Sequence, residues 1–219
     1  IEDDAIATDK LVITRATSEK LFDFALKLAG RRRGRGGKAR VDCIDKANVL
    51  GSMAFFRKIF FERAAAFPEI AAAARYVDAT ALDLVRQPWI FDVLVTENMF
   101  GDILSDEAAA LVGGMGMAPS ADIGDRHAVF QPAHGTAPDI MGKGIANPTA
   151  MLLSAARMLE WLGERHGVEA CASAARLLER SVEQVFADHR VLPHEFGGTS
   201  GTMDIARAVA EALATTDGP

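Results

Sequence analysis

Apolar positions in this chain fall into two rhythms. Spacing of three and four predicts helices over residues 21–30, 53–66, 79–86, 103–112, 149–162, 168–187 and 203–214. Short apolar, β-branched runs at 11–14 and 91–95 predict strands. Residues 39–44 predict another by alternation, with Arg40 and Asp42 outward and Val41 inward. Residues 71–77 are Ala-rich yet end in Arg75-Tyr76-Val77, so helix and strand both stay open there. Ser18 and Glu19 open the first helix and Gly30 reads as its stop, while Gln87-Pro88 stops the helix at 79–86. Asp78 and Asp102 read as helix N-caps. Strands that hand polar loops to helices predict an α/β fold.

Several stretches add detail. The helix at 53–66 carries Phe55, Phe56, Phe60 and Phe61, enough apolar surface for a core and for a partner subunit. Apolar residues nearly encircle the helix at 149–162, which predicts burial on all sides, with Asn147-Pro148 capping it. From 113 to 148 Pro and Gly become frequent, a long ordered-loop composition that in compact domains usually serves function. Gly197-Gly198-Thr199-Ser200-Gly201 is a turn, and the chain has no internal repeats.

With 219 residues, 49% of them hydrophobic, the chain can bury a sizeable core in one large or two small domains. A net charge of −6 argues against a nucleic-acid partner. The basic run Arg31-Arg32-Arg33-Gly34-Arg35 has no interleaved aromatics and reads as a solvated helix end. No apolar run is long enough to span a bilayer, and no signal peptide is evident. Cys43 and Cys171 lie far apart, as expected of reduced thiols in a cytoplasmic protein. The chain opens on Ile1 rather than Met, as a piece of a longer protein would.

The chemistry concentrates in four places. Asp102 and Asp106 stand four apart on one face of a helix, where two like charges cost free energy unless a hard cation offsets them. For the bare pair a solvated helix start, with Asp102 as N-cap and Asp106 as a surface charge, is the commoner arrangement. Lys46 follows a strand, beside Asp45 and Asn48. It is either an exposed salt-bridge lysine or an amine tuned for proton transfer. In His134-Gly135-Thr136-Ala137-Pro138-Asp139, Gly135 permits close backbone approach and Asp139 can bond a ribose diol, though a Pro-rich surface turn fits too. Neither the GxGxxG fingerprint nor the Walker P-loop is present.

Together, VDCIDKANVL, YVDATALDLV, VTENMFGDILSDEAA, HGTAPDIMGKGIANPTA and GGTSGT strongly resemble the β-decarboxylating dehydrogenases, which act on isopropylmalate, isocitrate, homoisocitrate or tartrate. The resemblance implies an isopropylmalate dehydrogenase-like two-domain α/β fold lacking its N-terminal part. Residues 1–112 would hold most of the small substrate, metal and dimerisation domain, and 113–219 the C-terminal part of the large NAD-binding domain. It implies Mg²⁺ or Mn²⁺ on Asp102, Asp106 and an Asp78 donated across a homodimer. It implies a catalytic Lys46, also reaching across, and an Asn48 beside the nicotinamide. His134, Gly135, Thr136, Ala137, Pro138, Asp139, Ile140 and Asn147 would form the adenosine-binding loop. The Asp139-Ile140 pair matches the NAD-preferring members, since a carboxylate repels a 2′-phosphate.

The implied reaction oxidises a 2-hydroxy di- or tricarboxylic acid, passes hydride to NAD and releases the β-carboxylate as CO₂. VDKAN-like and TEN-like segments lean towards isopropylmalate dehydrogenase, while HGTAPDI with ANPTA also suits NAD-dependent isocitrate enzymes. The family's substrate-gripping arginines and its proton-donating tyrosine have no matching positions. The one tyrosine, Tyr76, lies in the Asp78 motif. This chain alone is therefore expected to expose unpaired strand edges and to be inactive. Competing readings are a non-catalytic regulatory subunit, against which the retained acids and lysine argue, and a dimerisation module, which leaves the polar motifs unexplained.

Overall fold

The computed structural model describes residues 5–215 and divides into two compact units, Ile1–Glu107 and Ala108–Pro219. In the first unit, three parallel strands lie in the order β2-β1-β3, with β1 Arg40–Asp45, β2 Ala71–Tyr76 and β3 Val93–Val95. Helices α1 Arg15–Arg33, α2 Gly51–Ala64 and α3 Val77–Arg86 connect and cover them, and α4 Asn98–Leu111 follows β3. Successive β1 residues face opposite ways. Val41 and Cys43 join Phe22 and Leu26 of α1 and Phe56 and Phe60 of α2. Ile44 joins Leu84 of α3 and Leu104 of α4. The Phe22 ring sits 4.5 Å from Phe56 and 5.3 Å from Phe60, while Phe55 and Phe61 stay exposed.

This layering corrects several expectations. Asp42 is fully buried rather than outward, because a parallel strand covered by helices has no solvent face. Its charge is held by Arg40 at 2.6 and 2.7 Å and by Arg75 at 2.9 Å. Residues 11–14 form no strand: they pair with no ladder, Val12 is exposed, and Thr14 instead caps α1 by accepting from the Thr17 N–H. Gly30 does not stop α1, which runs to Arg33. Its penalty of about 1 kcal/mol against Ala is outweighed by the buried stripe Phe22, Ala25, Leu26 and Ala29. The open stretch at 71–77 resolves as β2, and α3 starts so directly after it that Tyr76 is the N-cap and Asp78 lies in the first turn. Asp102 is likewise no N-cap, since α4 begins at Asn98. Among the described residues β1 is the central strand of this sheet, and β2 and β3 pair only with it.

In the second unit, the Pro- and Gly-rich stretch is not one loop. It contains an antiparallel hairpin, β4 Pro119–Ile123 and β5 Ala128–Pro132, closed by a bond from the Gly124 N–H to the His127 carbonyl. Helices α5 Thr149–His166, α6 Glu169–Ala187 and α7 Thr202–Thr215 follow. Val182, Val185, Ile205 and Val209 form their core. α5 is not buried all round: Met151 and Met158 are exposed, and its buried side consists of small residues such as Ala150, Ala156 and Gly163. At Gly163 a Cβ would lie 2.9 Å from the Ala172 nitrogen, so glycine there sets how closely α5 and α6 approach. Among the described residues no helix is long and apolar enough to cross a membrane.

Candidate active site

Three of the predicted site elements leave the same end of the first sheet. β1 ends at Asp45 and delivers Lys46. β2 ends at Tyr76 and delivers Asp78. β3 ends at Val95 and delivers α4 with Asp102 and Asp106. Carboxyl ends of parallel strands are where open α/β sheets place ligands. Because β2 and β1 are neighbours, with Asp45 opposite Tyr76, Lys46 and Asp78 meet: Nζ lies 2.7 Å from Oδ1. That bond, helped by backbone N–H groups at the start of α3, holds the Asp78 carboxyl below its ordinary value. Asp78 is open to water and Lys46 is half-buried, so the pair's interest is chemical rather than stabilising.

The Lys46 turn is built from its flanks. Asp45 accepts from the Ala47 N–H at 2.8 Å, and the Lys46 carbonyl accepts from Val49 at 3.0 Å and Leu50 at 2.9 Å. Arg57 of α2 grips the buried Asp45 carboxylate with both Nε and Nη2 at 2.7 Å. Asn48 projects from this turn and is exposed.

α4 is started by Glu97. Its carbonyl accepts from the Gly101 N–H, and its carboxylate accepts from the Met99 and Phe100 N–H groups at 2.9 and 2.7 Å. Leu104 turns inward, leaving Asp102 and Asp106 exposed. Among the described residues no ion pair or side-chain hydrogen bond engages either carboxylate. Two unneutralised hard-oxygen donors four apart suit a divalent cation. Asp78 does not join them within this chain: among the described residues, no three acidic, histidine or cysteine side chains gather closely enough to hold a metal.

The predicted cofactor loop lies in the second unit. His134, Gly135, Thr136, Ala137, Pro138 and Asp139 are exposed, and Ile140 is half-buried. Ala137 has φ 44°, a left-handed conformation that turns the chain into a single 3₁₀ turn over Pro138–Ile140. The His134 ring contacts its neighbour's carbonyl, Gly135 O, at 2.8 Å. Asn147 ends the loop one residue before the N-cap of α5, Pro148, accepting from the Thr149 N–H at 3.0 Å and donating to Glu195 at 2.5 Å. The closing turn holds the loop from behind: Thr202 donates its N–H to Gly144 at 2.8 Å and its hydroxyl to the Ala146 carbonyl at 2.5 Å. The loop is exposed around Asp139, and among the described residues no ion pair or side-chain hydrogen bond engages that carboxylate, which leaves it open to hydroxyl donors.

Sequence reasoning passed over Asp45, Arg57, Glu97 and Glu195. Asp45 and Glu97 carried a local signal, an acid directly before a turn or helix. Arg57 and Glu195 carried none, because their partners are distant in sequence.

The chain as a whole is similar to known proteins. The profile of the isocitrate/isopropylmalate dehydrogenase family matches residues 2–212. The chain belongs to that family. It is 45% identical over 210 residues to a 3-isopropylmalate/3-methylmalate dehydrogenase of Methanocaldococcus jannaschii, covering 95% of this chain and 61% of the relative. It is also 45% identical over 209 residues to an isocitrate/homoisocitrate dehydrogenase of Thermus thermophilus, covering 95% of this chain and 59% of the relative. Among solved structures, isocitrate dehydrogenase from Methylococcus capsulatus matches with a TM-score of 0.85 at 42% identity, over 97% of this chain and 61% of that one. The chain thus spans about 60% of the length of these family members.

Proposed function

We propose that the complete protein is an NAD- and Mg²⁺- or Mn²⁺-dependent oxidative decarboxylase of a 2-hydroxy acid bearing a β-carboxylate, with 3-isopropylmalate the first substrate to test. Isocitrate, homoisocitrate and tartrate or malate are the alternatives, since relatives named for the first two are as similar as those named for isopropylmalate. The observation that carries the reading is the delivery of Lys46, Asp78 and the Asp102–Asp106 face from the same end of three adjacent parallel strands.

When bound, the cation supplies Lewis-acid polarisation of the substrate hydroxyl, and NAD supplies the hydride acceptor. Asp102 and Asp106 would hold the cation through hard oxygens, with the Asp78 carboxylate of a second copy as the third donor. Lys46, entering the step as the neutral amine, would take the hydroxyl proton on Nζ as the hydride leaves the carbon that bears that hydroxyl. Its pairing with Asp78 on the same chain suits a homodimer in which both reach into the neighbouring subunit together. Asn48, exposed on the same turn as Lys46, would lie beside the nicotinamide. Loop residues 134–140 and Asn147 orient the adenosine, with Asp139 accepting from a free ribose diol and repelling a 2′-phosphate.

The test is Asp102→Asn in the full-length protein. Both the charge and one metal oxygen are lost at an exposed site, so folding stability stays within about 0.5 kcal/mol while NADH production falls by about a thousandfold. Turnover left intact would refute the metal assignment. A complete protein inactive with every family substrate would favour a regulatory subunit.

A further inference from the structure

Arg57 contacts both strand ends that carry the Lys46–Asp78 pair. Its guanidinium forks onto the Asp45 carboxylate, next to Lys46, with two bonds of 2.7 Å. The same guanidinium lies over the Tyr76 ring, 5.0 Å from its centroid, two residues before Asp78. Asp45 and Tyr76 face each other across the β1–β2 ladder. Thr80 completes the second side, its hydroxyl donating to the Tyr76 carbonyl at 3.0 Å. A planar fork that stacks on an aromatic ring while binding a carboxylate through two parallel bonds is chemistry a lysine cannot reproduce.

We infer that Arg57 is a positioning residue for Lys46: through Asp45 and Tyr76 it fixes the turn that aims the Lys46 amine and the helix start that holds Asp78. The inference rests on the reading that Lys46 moves a proton in catalysis. Lys46 has a long, flexible side chain that ends in the exposed Asp78 carboxylate. Its direction is therefore set mainly by where the backbone leaves β1. That backbone is pinned by the Asp45 oxygen that accepts from Ala47, and the oxygen is held in turn by Arg57. Burial of Asp45 excludes water as a substitute partner, so loss of the fork frees the turn.

The molecule contains its own control. Farther back along β1, Asp42 is equally buried and is held by Arg40 and by Arg75, which also bridges to Asp83 at 2.9 Å. That network has the same chemistry but touches no site residue. A merely structural role for Arg57 would make the two networks equivalent.

The experiment compares Arg57→Lys, Arg75→Lys and Lys46→Ala in the full-length protein. Amide hydrogen exchange is read without metal, cofactor or substrate. Arg57→Lys is expected to speed exchange at Ala47, Val49 and Leu50 by about tenfold while 41–44 remain protected, and Arg75→Lys is expected to leave 47–50 unchanged. In steady-state kinetics, Arg57→Lys is expected to lower kcat by about 10- to 100-fold with KM for substrate and NAD within about twofold, as a displaced reacting group does. Arg75→Lys keeps kcat per folded molecule within about twofold.

An Arg57→Lys protein with unchanged kcat, or with exchange raised evenly along β1, would overturn the inference. Should Arg57→Lys not fold, Asp45→Asn reads the same quantities, because it keeps the acceptor for Ala47 and removes the charge that holds the fork. Wild-type turnover persisting in Lys46→Ala would sink the catalytic reading itself. An inactive Lys46→Ala beside a normal Arg57→Lys would sink only the positioning role.

Discussion

Glu97→Ala tests whether α4, and with it the Asp102–Asp106 face, depends on one buried carboxylate. In the native chain that carboxylate accepts two short bonds from the first free N–H groups of the helix, Met99 at 2.9 Å and Phe100 at 2.7 Å. A capping side chain is worth about 0.5–2 kcal/mol, and hydrogen bonds to a charged group about 1.5–3 kcal/mol. Glu97 is only 8% exposed, so water replaces the lost acceptor poorly. The negative charge at a helix N-terminus adds a further favourable contribution. The expected loss is about 2 kcal/mol for Glu97→Ala and about half of that for Glu97→Gln, which keeps one acceptor oxygen. Urea unfolding reads it as a lower midpoint at constant slope. Amide exchange reads it locally as loss of protection at Met99 and Phe100. If Glu97→Ala stays within about 0.5 kcal/mol of wild type, the range of ordinary surface substitutions, α4 is held by its Leu104 packing alone and the capping argument is wrong.

Other predictions follow from single contacts. At Gly198 a Cβ would fall 2.0 Å from the Leu192 carbonyl oxygen, so Gly198→Ala must displace backbone. It should cost about 2 kcal/mol or more, read as a lower unfolding midpoint, and a wild-type midpoint would contradict the packing of that turn. Arg15, through a bond of 2.5 Å, holds the Glu62 carboxyl below its ordinary value of 4.5. A depressed folded-state pKa gives stability that is present above the unfolded value and lost as pH falls through the folded one. Glu62→Gln should therefore flatten the fall in stability below about pH 4.5, measured as urea midpoints from pH 3 to 6. Burial pushes the Cys43 thiol far above its ordinary value, whereas Cys171 is partly exposed. Peptide mapping after iodoacetamide treatment of the native protein should find Cys171 labelled and Cys43 unlabelled until unfolding.

Local pattern was enough for much of the fold. Helical spacing found α2, α5, α6 and α7 to within a few residues, and the i,i+4 placement of Asp102 and Asp106 survives although α4 starts four residues before Asp102. Those features depend on near neighbours, whose geometry is fixed by the period of a helix. Where two local signals competed, burial chose between them. Gly30 signalled a stop, but the buried face of α1 continued the helix. Ala-rich 71–77 suited a helix, but its ladder with β1 made it a strand.

The sequence by itself also determined the family, because five motifs in fixed order are chemical constraints written locally. What only the tertiary structure decided were the pairings across long gaps. Asp42 reads as a surface residue until helices cover both faces of β1. Arg57 reads as an ordinary helix residue until α2 brings it to Asp45, twelve positions back, and to the ring of Tyr76. Glu195 reads as a loop acid until it meets Asn147, 48 positions back. A buried charge is tolerated only with its partner in place. For Asp45 that partner stands twelve positions away and arrives only by chain folding, so Arg57 stayed hidden while the residues proposed to do the site's chemistry were legible.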